Sequence, residues 1–202
     1  MRIIFSMLLS LCTLFVNAEQ ETIADPNQVL HSVAVNTFAR IDADKQQLEE
    51  QPNYIKVIIE EELIPYFDYK YASYKVMGSH LKKTTKEQRD AFVVAFKSYL
   101  INAYGHILVE YDQQEIEILD NNHFKDKKIV SVPVRIRDKN NQVTQIAFKL
   151  RKNKKNGEWK VFDVIAEGIS MLNTKQSEFN DLIYKQGIDH VIELLNKKNS
   201  EF

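Results

Sequence analysis

Asp163 is the residue best placed in this chain to do proton chemistry. It lies within Trp159-Lys-Val-Phe-Asp-Val-Ile-Ala-Glu-Gly-Ile-Ser170, between Phe162 and Val164, in a stretch that reads as a buried strand. A carboxylate among apolar neighbours resists ionisation, and a raised pKa suits a base that moves a proton on a small substrate. The plainer role is preferred: Asp163 bonds backbone or a tyrosine and fixes the strand end. Asp68 reads as a helix cap and is open to the same pair of roles. Little else competes. His31, His80, His106, His123 and His190 are scattered, with no pair three or four apart, so no metal constellation follows. The chain has no Gly-x-Ser-x-Gly elbow, phosphate-binding loop or Gly-rich dinucleotide turn.

Two groups of cations could bind something anionic. Lys149, Arg151, Lys152, Lys154, Lys155 and Lys160 surround a turn at Asn156-Gly157, where a solvated hairpin tip is the simpler explanation. Lys82, Lys83, Lys86 and Arg89 stand at the start of a long helix, where cations oppose the helix dipole.

The elements that must position these residues follow from periodicity. Asp25-Pro26 reads as a cap and first-turn proline, followed by Leu30, Ala34, Phe38 and Ile41 at helical spacing. A second helix runs from Pro52 through Tyr54, Ile55, Ile58, Ile59 and Leu63 to Pro65, and a third from Asp68 to Gly78. Thr85-Lys-Glu-Gln88 is a capping box that opens the longest helix, with Phe92, Phe96, Tyr99, Leu100, Ala103, Tyr104 and Ile107 on a wide apolar stripe. After Tyr111 the period changes to two. Ile116 and Ile118, then Val130 to Ile136, then Ile146 to Leu150 alternate with polar residues, as half-buried antiparallel strands do. Pro133 has no N–H to donate, so its strand is expected at an edge or bulged there. The strand over 159–165 has apolar residues in both alternation sets and is expected to be covered on both faces. Met171 to Asn196 returns to helix. The sum is α+β: helices, a four-stranded antiparallel meander, then helices packed on one face of the sheet.

The ends and composition bound the class. Met1-Arg2, an apolar run from Ile3 to Val16 and the small residues around Ala18 read as a signal peptide over 1–18, cut after Ala18. An uncleaved anchor is the alternative, although the run is short for a span. Lipidation at Cys12 is disfavoured by the bulky Leu11 before it. The remaining 19–202 holds no cysteine, so neither disulfide nor thiol chemistry is available, and it is long enough for one core but not two. The whole chain has a formal net charge of −1, which is not the balance of a nucleic-acid binder. Aromatic residues concentrate in 66–111 and 148–162. They either fill a core or line a cavity, and periodicity does not separate the two.

Ile64-Pro-Tyr-Phe-Asp-Tyr69, Tyr71-Ala72, Val76-Met-Gly78, Glu87-Gln-Arg89 and the segment 159–170 closely resemble the MlaC family. Thr174-Lys-Gln176, Phe179 and Gly187-Ile-Asp189 extend the resemblance, which spans roughly residues 26–195. His80-Leu81 and Phe67-Asp68 depart from the usual pattern. The resemblance implies an NTF2-like cone: a curved sheet of about four strands that closes, with N- and C-terminal helices, around a hydrophobic pocket. It implies a periplasmic phospholipid carrier that buries acyl chains, keeps the headgroup toward solvent and maintains outer-membrane lipid asymmetry. Its partners would be an outer-membrane lipoprotein–porin complex and the lipid-binding subunit of an inner-membrane ABC transporter. A monomer is expected, with no metal, cofactor, nucleic acid or covalent catalysis.

The expected lining comprises Val76 and Met77 from the third helix, and Phe92, Phe96, Leu100 and Tyr104 from the long helix. The sheet adds Val132, Val134, Ile146, Phe148, Trp159 and Val161, and Ile169 and Met171 lie where the pocket would close. Two rival readings stay open: an enzyme on the same cone using Asp163 or Asp68, and an exported adaptor whose apolar groove grips a protein.

Overall fold

The structure, a computed structural model, describes residues 25–109, 114–120 and 123–201. The signal-peptide expectation over 1–18 lies outside the described residues. Helix α1 (Pro26–Ala43) begins where the Asp25 carboxylate accepts the Asn27 N–H at 2.8 Å, with Pro26 in the first turn. A short α2 (Lys45–Glu50) follows. The stretch between Pro52 and Pro65 is not one helix. It comprises a 3-10 turn, α3 (Ile55–Ile58), a π turn (Ile59–Leu63) and a second 3-10 turn. The π turn sets Ile59 and Ile64 five residues apart within one wide turn, so both join Ile55 and Ile58 in a single cluster.

Helix α4 (Tyr69–Met77) is capped by Asp68, which accepts the Tyr71 N–H at 3.1 Å, and it stops at Gly78. Helix α5 (Lys86–Val109) opens on the reciprocal bonds of its capping box. Gln88 N–H reaches Thr85 Oγ1 at 3.2 Å and Thr85 N–H reaches Gln88 Oε1 at 3.0 Å.

The sheet has five antiparallel strands in sequence order: β1 (Glu115–Ile118), β2 (Ile129–Arg137), β3 (Val143–Lys152), β4 (Trp159–Ala166) and β5 (Ile169–Ser170). The fifth, two residues long, extends the expected meander of four. Strand β2 lies inside the order, not at an edge. Its Pro133 carbonyl accepts the Leu119 N–H at 2.9 Å, and the pairing with β1 ends at Ile118–Val134, because proline has no N–H to return. Between β3 and β4 a bulge pairs Leu150 with Val161 and Lys149 with Asp163, leaving Phe162 as the extra residue.

The C-terminal segment is two helices, not one. Helix α6 (Met171–Gln186) ends at Gly187, and α7 (Ile188–Ser200) runs on from it. The core divides three ways. A helical cluster joins α4, α5, α6 and α7, and the bulge turns Phe162 into it. A sheet-side cluster sets Leu30 of α1 against Val130, Val132, Leu150, Trp159 and Val161. A third gathers the isoleucines of 55–64 with Ile101. Helix α1 meets the apolar side of the sheet through Leu30, and α4 and α6 meet the sheet along β4.

Candidate lipid-binding interior

The residues expected to line a pocket fall into separate groups. Val76, Met77, Phe92 and Phe96 are fully buried in the helical cluster, with Leu100 packed against it. Phe92 and Phe96 stack at 5.8 Å, and Phe179 meets both edge-on at 6.1 and 6.2 Å. These rings face one another across helices, which is core packing.

Val132, Trp159 and Val161 share the sheet-side cluster, with Phe148 half-buried against it. They come together because the register sets Val132 opposite Phe148, Leu150 opposite Val161 and Lys152 opposite Trp159 on alternating residues. Val134 and Ile146, also paired, border a cleft of about 220 Å³ with Leu119, Pro133, Ala147, Ile165 and Gly168. Tyr104 belongs with the third cluster. Ile169 and Met171 are 58% and 41% exposed, at the β4–β5 hairpin and the start of α6, so they lie outside the interior.

Phe67 joins these groups. It packs against both the helical and sheet-side clusters, its backbone bridges to Val161, and its ring meets Tyr104 edge-on at 6.1 Å. The sequence reading passed over it as a lining residue, and also over Leu30, Val130 and Leu150. The last three were legible, since each continues an apolar stripe already traced; Phe67 has no periodic signal because it sits in a connection.

The carboxylates are engaged. Asp163, 4% exposed, accepts the Ser170 hydroxyl at 2.7 Å and the Leu172 N–H at 3.0 Å, with Lys149 Nζ at 3.8 Å. It lies within β4 rather than at its end, and it ties that strand to the start of α6 through backbone and a serine rather than a tyrosine. Asp68 caps α4 and takes Arg151 at 2.6 Å, whose guanidinium lies 4.1 Å from the Tyr71 ring centre. Burial pushes the Tyr104 phenol well above its ordinary range, and the negative charge of Asp163 adds to the shift. Among the described residues no three His, Cys, Asp or Glu side chains gather as a metal site would require. A second hollow, about 380 Å³, lies between α5 and α7 and is lined by Tyr99, Asn102, Ala103, His106, Lys198, Asn199 and Glu201. Most of its lining surface is apolar.

The profile of the family described as MlaC protein matches residues 31–197. The intermembrane phospholipid transport system binding protein MlaC of Haemophilus influenzae is 32% identical over 177 residues, covering 87% of this chain and 83% of that protein. The toluene tolerance protein ttg2D of Pseudomonas putida is 29% identical, over 81% of this chain and 75% of its own. Among solved structures, a phospholipid-binding protein from Ralstonia solanacearum, in complex with a phospholipid, superposes with a TM-score of 0.78. It covers 88% of this chain and 98% of its own at 22% identity, a likeness of fold. The α+β arrangement, helices with an antiparallel sheet, is shared with that structure. A profile match across five-sixths of the chain, with a relative above 30% identity over most of both lengths, makes this chain a member of the MlaC family.

Proposed function

We propose that this protein is a phospholipid carrier of the periplasm, exported by its leader. On this reading it moves lipid between an outer-membrane lipoprotein–porin complex and an inner-membrane ABC transporter, and so maintains outer-membrane lipid asymmetry. The observation that carries the reading is the phospholipid held by a protein of the same fold, taken with membership of the family. The physics of the interior is compatible. Each methylene exposed to water costs about 0.8 kcal/mol, so a long acyl chain costs on the order of 10 kcal/mol to carry unprotected. A face of valine, leucine and aromatic rings removes that cost without competing for the headgroup.

The wall we assign comprises Val132, Phe148, Trp159 and Val161, continued by Val134 and Ile146, with Phe67 at its junction. Val76, Met77, Phe92, Phe96 and Leu100 stiffen the helices behind it, and Tyr104 flanks Phe67. Ile169 and Met171 serve as an outer rim. Entry of the chains parts this wall from α1, and release follows docking that favours the parted form. The carrier makes no covalent change to its cargo.

The test is an organic extract of gently purified protein, read by mass spectrometry. About one phospholipid per chain is expected, and Phe148→Glu should lose it while its far-UV circular dichroism stays native. A wild-type protein that carries no lipid and takes up none from vesicles would sink the proposal. A small polar metabolite in its place would favour an enzyme, and a tightly held polypeptide an adaptor.

A further inference from the structure

Among the described residues, two buried polar side chains have no hydrogen-bond partner. Trp159 and Thr37 are each 2% exposed, and neither the indole N–H nor the threonine hydroxyl finds a hydrogen-bond partner among the described residues. Such groups are rare in folded proteins, because each lowers the folding equilibrium roughly five- to a hundredfold unless something satisfies it.

Their positions are related. Trp159 packs in the sheet-side cluster with Leu30 of α1. Thr37 lies seven residues beyond Leu30, two helical turns on and therefore on the same face, about 10 Å further along the helix. Ile41, the next residue on that face, packs in the third cluster. Thr37 therefore marks the seam where the sheet-side and third clusters meet beneath α1, and both polar groups belong to that strip.

An acyl tail can satisfy neither group, since it offers no acceptor. The indole is a donor only, so it selects an acceptor, whereas the threonine hydroxyl can donate or accept. Within a diacyl lipid, the acceptors that accompany buried tails are the ester carbonyls. The geometry points to an ester-reading subsite in which Trp159 donates to an ester carbonyl oxygen and Thr37 bonds a second lipid oxygen further along α1. This rests on the phospholipid-carrier reading. It assigns the strip under α1 to the glycerol–ester segment and makes the linkage chemistry, not tail length alone, a determinant of cargo.

Ether-linked lipids test this, because they keep tails and headgroup but lack the carbonyls. Lipid-stripped protein is titrated with dipalmitoyl phosphatidylethanolamine and with its dihexadecyl ether, each displacing a fluorescent phospholipid. The diester should bind roughly tenfold tighter, as for a site whose buried donor is left unmet by the analogue. Trp159→Phe and Thr37→Val should each reduce that ratio severalfold. Trp159 is the sole tryptophan of the chain, so its emission reports on the site directly. Equal wild-type binding of the two lipids overturns the subsite and leaves the carrier reading intact; binding of neither overturns both. Thr37→Val keeps the side-chain shape and carries the test if Trp159→Phe fails to fold. A ratio unchanged in the variants that do fold overturns the assignment.

Discussion

Asp163 gains its role from the two donors that meet it. The Ser170 hydroxyl and the Leu172 N–H tie the middle of β4 to the first turn of α6, where the helix dipole favours a negative charge. Ser170 in turn caps that helix, accepting the Asn173 N–H at 3.0 Å. Asp163→Ala should lower the free energy of unfolding by about 2–4 kcal/mol, measured by urea titration. Asp163→Asn should cost less, since an amide oxygen can still accept the helix N–H. Tyr104 supplies a pH dependence. Its folded pKa is raised, so the stability it contributes is whole below the ordinary phenol value near 10 and is lost as pH rises through the folded value. Denaturation on the alkaline side should therefore begin at about pH 10, and Tyr104→Phe should blunt it. A slope identical in the two proteins would show that Tyr104 is not the group responsible.

At the scale of elements, side-chain amides clamp α6 onto the end of α4. Gln176 Nε2 and Asn180 Nδ2 reach from α6 to the Lys75 and Val76 carbonyls, each at 2.7 Å, and satisfy the last turn of α4. Gly78, at φ 53°, lets the chain leave that turn. A Cβ there would sit 3.0 Å from both Asn180 Oδ1 and Gln176 Nε2. Gly187, at φ 83°, breaks the C-terminal segment into α6 and α7 but has open space around it. The two glycines should therefore differ on mutation. Gly187→Ala carries backbone strain alone, about 1–2 kcal/mol, whereas Gly78→Ala adds loss of the amide clamp and should cost about 2–4 kcal/mol. Thermal unfolding of the pair decides; equal losses would mean the clamp is unimportant.

For the whole molecule, the division of the core into three clusters around Phe67 has a consequence for loading. Cargo that occupies the seam beneath α1 binds the folded state only and stabilises it by mass action, by about 2.7 kcal/mol at a hundredfold excess over Kd. Stripping the lipid should lower Tm by roughly 5–10 °C for a chain of this size, and adding lipid back should restore it. Calorimetry of loaded and stripped protein makes the comparison. An unchanged Tm would place the cargo outside the folded core.

Local chemistry left clear marks on the sequence. The caps at Asp25, Asp68 and Thr85, the turn at Asn156-Gly157 and the alternation of β2 and β3 each act within a few residues, so they were legible without coordinates. So was the class, because helical and strand periods cannot be confused over segments of that length. What escaped depends on partners distant along the chain. The Phe162 bulge exists only because β3 sits beside β4, the π turn at Ile59–Leu63 because the isoleucines must share a cluster, and the split at Gly187 because α7 folds back along α5. The same limit governs the lining. Phe92 and Trp159 are equally apolar and equally periodic, yet one meets other helices and the other meets α1 across the sheet. An apolar stripe says that a side chain leaves water; only packing in three dimensions decides what it meets instead.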